Sequence, residues 1–162
     1  MEVLPMNIDR ELERELERER LTEMQVLLQQ VHESVLAGKS KFDLSEWAQG
    51  EVSENTSPNE CGTVCCAVGF AMQHKPFNDA GLGVEYTLDS DPDSIISIPK
   101  YLEDTNWDAV ENFFGLTTLQ AKWCFHDSWY QENPTPLDVS NHIQDILDGK
   151  RFSIMQQIEF QQ

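Results

Sequence analysis

The chain has 162 residues, with 29 Asp and Glu against 11 Lys and Arg and a formal charge of −18. That length favours one domain, or one domain with an arm. A 40% hydrophobic content with four Trp and eight Phe supplies a core, which excludes disorder throughout. The charge excludes ion-driven binding to DNA, RNA or an anionic membrane, because phosphate surfaces repel so acidic a body.

Residues 8–37 read as one long helix. Leu12 and Leu16 are a turn apart, and Leu21, Met24, Leu28, Val31 and Val35 follow at alternating spacings of three and four. Glu11, Glu13, Glu15, Glu17 and Glu19 alternate with Arg10, Arg14, Arg18 and Arg20 and can pair along the helix. The stripe from Leu21 to Val35 either packs on its own domain or forms a surface for self-association, giving a homodimer or a docked partner. Gly38 ends the helix.

Phe42–Gln49 is expected as a short helix capped by Asp43 or Ser45, and 50–60 as a polar loop. Gly62 to about Gln73 is expected as a buried helix. A Gly-containing turn follows Pro76. Gly83–Leu88 and Ser94–Ile98 are short β-type runs that can pair as a hairpin around the Asp/Pro turn. Asn106–Phe114 is a helix stopped by Gly115, and another runs from Thr117 to about Asp127 behind a Thr cap. Thr135-Pro136 starts a last helix that Leu137, Val139, Ile143, Ile146 and Leu147 carry to Gly149. The expected fold class is therefore mainly α: a compact helical domain with a small β-hairpin and a long N-terminal helix. The division is a charged helical arm over 1–41, an acidic globular domain over 42–149 and an amphipathic extension over 150–162.

The charge is not spread evenly. Residues 1–41 hold nine acids and six bases, and 150–162 hold one acid and two bases. Residues 42–149 hold nineteen acids and three bases (Lys75, Lys100 and Lys122), a net −16 that belongs to the folded body rather than to a tail. Met1–Arg20 lacks the basic head and apolar run of a secretory signal, and no apolar stretch approaches the roughly 20 residues that span a bilayer. The expectation is a reducing cytoplasm and unpaired thiols.

Three of the four cysteines fall within six positions, in Cys61-Gly62-Thr63-Val64-Cys65-Cys66-Ala67-Val68-Gly69-Phe70-Ala71. This stretch resembles the C-G-T-x-x-C-x-x-G-[aromatic]-A signature of a small, poorly characterised family associated with bacteria and their phages. The resemblance continues at Phe113-Phe114-Gly115-Leu116, at Ala121–Phe125 and at Thr135-Pro136, with Trp47 preceding the signature. It covers roughly 42–148 and departs from the pattern at Cys65 and Cys124. It implies a mostly helical fold, lends no activity or catalytic residues, and implies a host-cell cytoplasm if the chain is phage-encoded.

Read physically, Gly62, Cys66 and Gly69 make a stripe of small residues that lets another helix or the hairpin approach the backbone closely, with the thiols as small core hydrophobes. Three chemical readings compete. Cys61 and Cys65 with His74 or His126 could hold zinc, although the paired spacing of structural zinc sites is missing. Cys61 at a helix start could act as a thiolate nucleophile with His126 or His74 as base, although the acidic surroundings oppose ionisation. Cys61 could also pair with Cys66 or Cys65 in a redox switch. A Cys-dependent enzyme or metal-binding protein centred on Cys61, Cys66 and His126 is thus the alternative function.

Carboxylate pairs are too abundant to mark a catalytic dyad, and the Asp89–Asp93 run lacks the Gly and Glu of a calcium loop. Trp123, Phe125, Trp129 and Tyr130 cluster either as core, as an interface anchor, or as the lining of a small-molecule pocket. The leading expectation is a non-enzymatic interaction protein without a cofactor. It would inhibit a basic, nucleic-acid-binding host protein by presenting Asp89, Asp91, Asp93, Glu103, Asp104, Asp108 and Glu111 in place of phosphates.

Overall fold

The computed structural model describes residues 4–45, 47–60, 64–88, 94–130 and 132–149, with side chains from Asp9 onward. The expected extension 150–162, Cys61, Gly62 and the residues Asp89, Asp91 and Asp93 lie outside the described residues.

Helix dominates. The long first helix, α1, runs over Leu4–Leu36 and closes at Gly38, whose φ of 74° is a conformation that favours glycine. Leu21, Met24, Leu28 and Val31 are buried, joined by Leu27, and Val35 is half-buried. The stripe that could have served self-association thus sits in the chain's own core, while Leu12, Leu16 and Val26 on α1 are exposed. The last helix, α6 (Pro136–Leu147), lies antiparallel to α1. Arg18 donates to the Leu147 carbonyl at one end of this pair, and Gln25 to the Ser140 carbonyl further along.

An aromatic core packs beside α1. Phe77, Phe113, Phe114 and Phe125 are buried and meet edge-on or tilted, with ring centres 5.0–5.7 Å apart. Arg20 covers this cluster from α1: its guanidinium carbon stands 4.3 Å from the Phe113 ring centre, and Nη1 donates to the Phe113 carbonyl. Phe113 and Phe114 come from α4 (Asn106–Phe114), which ends at Gly115 with φ 69°, as the sequence indicates. α5 (Thr118–Phe125) and α6 both begin with a complete capping box, formed by Thr117 with Gln120 and by Thr135 with Asp138.

The hairpin is present and larger than expected. β3 (Leu82–Leu88) pairs antiparallel with β4 (Ile95–Tyr101), in register from Leu82 opposite Tyr101 to Leu88 opposite Ile95. A short β5 (Asp104–Thr105) adds a third strand to β4.

Two expected helices are not formed as such. Phe42–Gln49 is not helical: Lys41–Phe42 is a strand, β1, paired in parallel with Val64–Cys65, β2. Asp43 does not cap a helix but closes a turn, its carboxylate accepting from the Ser45 amide at 2.9 Å and the Ser45 hydroxyl at 2.7 Å. The backbone that follows is used for cross-links. The Trp47 carbonyl accepts from the Cys66 amide, the Gln49 amide donates to Val64, and the Ala48 carbonyl accepts from the Ser97 amide. Segment 47–50 therefore ties β2 to β4, and a helix would have consumed those groups internally.

The buried helix expected from Gly62 to Gln73 is likewise only α2, Ala67–Ala71. Cys66 precedes it as N-cap, its sulfur accepting from the Gly69 amide at 3.3 Å. The turn after Pro76 is preceded by another short helix, α3 (Lys75–Asp79), with Pro76 in its first turn and Gly81 following at φ 105°. The close approach expected at Gly69 is real, but its partner is neither a helix nor the hairpin. A Cβ built on Gly69 would fall inside the envelope of the Trp47 carbonyl oxygen.

Because that neighbour is backbone held by its own hydrogen bonds, Gly69→Ala is expected to destabilise the fold by about 3 kcal/mol or more. The check is the midpoint of urea unfolding. An unchanged midpoint would show that segment 47–50 can move away freely.

Candidate functional site

The carboxylates expected to carry function fall into a described group and an undescribed one. Glu103, Asp104, Asp108 and Glu111 fall on β5, the turn before it and α4. Glu103 and Asp108 are exposed; Asp104 and Glu111 are half-buried. Asp108 lies in the first turn of α4, where the helix dipole favours a negative charge. Asn112 donates to Asp104 at 2.5 Å, and the Thr118 hydroxyl to Glu111 at 3.0 Å, so two of the four are fixed in place. Among the described residues no Asp or Glu is buried.

Beside this group lies a cleft of about 350 Å³, lined by Leu44, Ser45, Trp47, Ala48, Ile96, Trp107, Phe125, His126 and Asp127. Trp47 is placed by the cross-linked segment described above, and Trp107 by the first turn of α4, one residue before Asp108. Their rings meet at 5.0 Å with a 60° tilt, forming two walls. His126 follows α5 and lies nearly parallel to Trp107 at 5.9 Å. Its Nδ1 accepts from the Ser128 amide at 3.1 Å and lies 3.3 Å from the Asp127 carboxylate. It cannot accept from the amide and donate to the carboxylate at once, so the neutral ring that caps Ser128 carries its proton on Nε2. Asp43 stands behind Ser45 at the same rim, and the two hydrogen bonds from Ser45 hold its carboxyl below the usual range.

The described thiols do not line this cleft. Cys65, Cys66 and Cys124 are all buried. Burial pushes the Cys66 thiol up to about 12, against weaker opposition from nearby amide donors, and pushes Cys124 up as well. His74 does not join a cysteine and His126: its Nε2 meets a Glu23 carboxylate oxygen at 2.7 Å, binding α3's approach to α1. Among the described residues no group of three or more His, Cys, Asp or Glu is arranged to hold a metal ion.

The aromatic cluster divides. Phe125 is core, while Trp123, Trp129 and Tyr130 are half-buried. A histidine that the sequence did not single out completes it: His142 of α6 is stacked between Trp123 at 4.0 Å and Tyr130 at 4.2 Å. Its Nδ1 lies 2.7 Å from the Trp123 carbonyl, which only accepts, so Nδ1 carries a proton. Tyr130 donates to the Cys124 carbonyl, and burial raises its phenol above the ordinary range. The cluster joins α5 to α6.

Comparison with family models, curated proteins and solved structures returns no match to this chain. The site is therefore read from its own chemistry. Of the residues lining the cleft, Trp107 carries the weakest signal in the sequence. The available signal was an indole at a helix start beside Asp108, but the second wall is supplied by Trp47, 60 positions away in sequence.

Cys65, Cys66 and Cys124 are expected to resist a thiol reagent at neutral pH and to react on denaturation. The raised thiols also fix a pH trend. Unfolded thiols ionise near 9.0, whereas folded Cys66 does so near 12, so the folded state binds more protons in between. Stability should then fall as pH rises above about 9, by about 1.4 kcal/mol per unit from Cys66, with Cys124 adding to the slope. A flat alkaline profile of the unfolding midpoint would contradict that assignment.

Proposed function

We propose that this protein is a non-enzymatic, acidic interaction protein that occupies the cationic surface of a basic, nucleic-acid-binding partner and blocks that partner's own ligand. The observation that carries the reading is the placement of its charge. Residues 42–149 hold nineteen acids against three bases, and none of the described acids is buried. Of the three bases, Lys75 is paired with Asp79 on its own helix at 2.8 Å. Carboxylates on a folded body act as a preformed field, and within it Asp104 and Glu111 are held by hydrogen bonds beside the exposed Glu103 and Asp108. Such a surface mimics a polyphosphate in charge rather than in covalent chemistry. It gives fast, salt-sensitive association and excludes nucleic acid from the same partner surface.

A thiol-based activity draws less support. Cys66 is held protonated and enclosed, which is the reverse of an activated nucleophile. The resemblance to a phage-associated family suits an inhibitor that meets a host protein, and host-cell cytoplasm is the setting that reading implies.

Affinity for a basic nucleic-acid-binding protein, measured by calorimetry, should fall about tenfold or more between about 50 and 200 mM salt. Replacing Glu103 and Glu111 by Gln, and Asp104 and Asp108 by Asn, should weaken it further while leaving the circular dichroism unchanged. Binding that ignores both salt and these substitutions would leave the acidity as a solubility device.

A further inference from the structure

The cleft beside the touching Trp47 and Trp107 rings combines features that an acidic surface alone does not have. Its lining mixes polar groups with the apolar side chains of Leu44, Ala48, Ile96 and Phe125, of which all but Ile96 are buried. Its walls are two indoles set at 60°. Its rim is anionic: the Asp127 side chain is half exposed, and Asp43, held ionised by Ser45, is fixed behind it. About 350 Å³ is at the small end of ligand pockets and suits one long side chain better than a cofactor.

Aliphatic and aromatic side chains beside a carboxylate match a group with an aliphatic stem and a flat cationic head. We propose that this cleft is an anchor pocket for one arginine side chain of a basic partner. The methylenes would lie on Leu44 and Ile96, the guanidinium plane against the indoles, and its N–H groups toward Asp127. Guanidinium fits better than ammonium on two counts. It stacks on aromatic faces and is weakly hydrated, so entering a half-apolar cleft strips less water from it.

The pocket also adjoins the acids of α4, since Trp107 precedes Asp108 and lies one helical turn from Glu111. The inference rests on the basic-partner reading and deepens it, because it supplies a specific anchor within a diffuse field. Long-range charge would bring the partner in, and the cleft would set its register.

The test is titration of the full chain with blocked arginine, blocked lysine and blocked citrulline at fixed ionic strength, followed by the indole N–H resonances. Arginine should shift Trp47 and Trp107 saturably and bind about fivefold tighter than lysine, with neutral citrulline silent. Asp127→Asn, at an exposed position, should weaken arginine binding by about fivefold without altering the fold. Trp107→Leu should abolish it; if that variant fails to fold, Asp127→Asn alone decides. Equal binding of citrulline or lysine, or shifts that spare both indoles, would overturn the assignment. A basic protein that still binds in a salt-dependent way but ignores Asp127→Asn would overturn the pocket and leave the proposed function standing. Saturable arginine binding by a chain with no affinity for basic proteins would do the opposite.

Discussion

The contact on which the rest of the fold turns is the seating of the Trp47 carbonyl on Gly69. It puts the backbone of segment 47–50 against α2 at a distance that no side chain would permit. From there the segment reaches both ways: its amides and carbonyls join β2 on one side and β4 on the other. Ser97, fully buried on β4, reinforces the bridge by donating to the Gly50 carbonyl and accepting from the Val52 amide. The parallel β1–β2 pair, the position of the hairpin and the orientation of Trp47 all follow from this crossing. A protein that loses the approach at Gly69 loses one wall of the cleft with it.

The separation of apolar and charged groups explains why function is sought at the surface. The core holds aromatic rings, thiols and the stripe of α1, whereas the described carboxylates remain in contact with water. The burial that keeps Cys66 protonated is one side of this partition. The net field is therefore large and outward-facing. Solvent screens it within about a Debye length, so it directs encounter and leaves specificity to features that also exclude water. The Trp47–Trp107 cleft is one such feature, with a carboxylate at its mouth.

Elements whose signals are local could be read from the chain. The Leu21–Val35 spacing located α1, Gly115 and Thr117 bounded the helices on either side of them, and Thr135-Pro136 opened α6 with its capping box. The β-type runs around Asp89–Asp93 located the hairpin. Segments whose hydrogen bonds go elsewhere could not be read. Phe42–Gln49 has a composition tolerable in a helix, but its backbone groups are claimed by β2 and β4. The small residues from Cys66 to Gly69 rightly signalled a close approach, yet nothing local could say that a carbonyl from segment 47–50 would fill it. The cluster around Trp123 was visible as four aromatics, while the His142 that lies between two of them comes from a different helix.

The sequence by itself determined the partition: how much charge the body carries, that apolar periodicity would bury one face of α1, and where most helices begin and end. These are properties of composition and of neighbours within a turn or two, so they need no knowledge of the partner surface. Only the tertiary structure decided which α1 residues remain exposed, that Cys66 and Cys124 are enclosed rather than activated, and that Trp47 meets Trp107 beside Asp127. Each depends on contacts between residues distant in the chain, where packing and long-range hydrogen bonds override local preference.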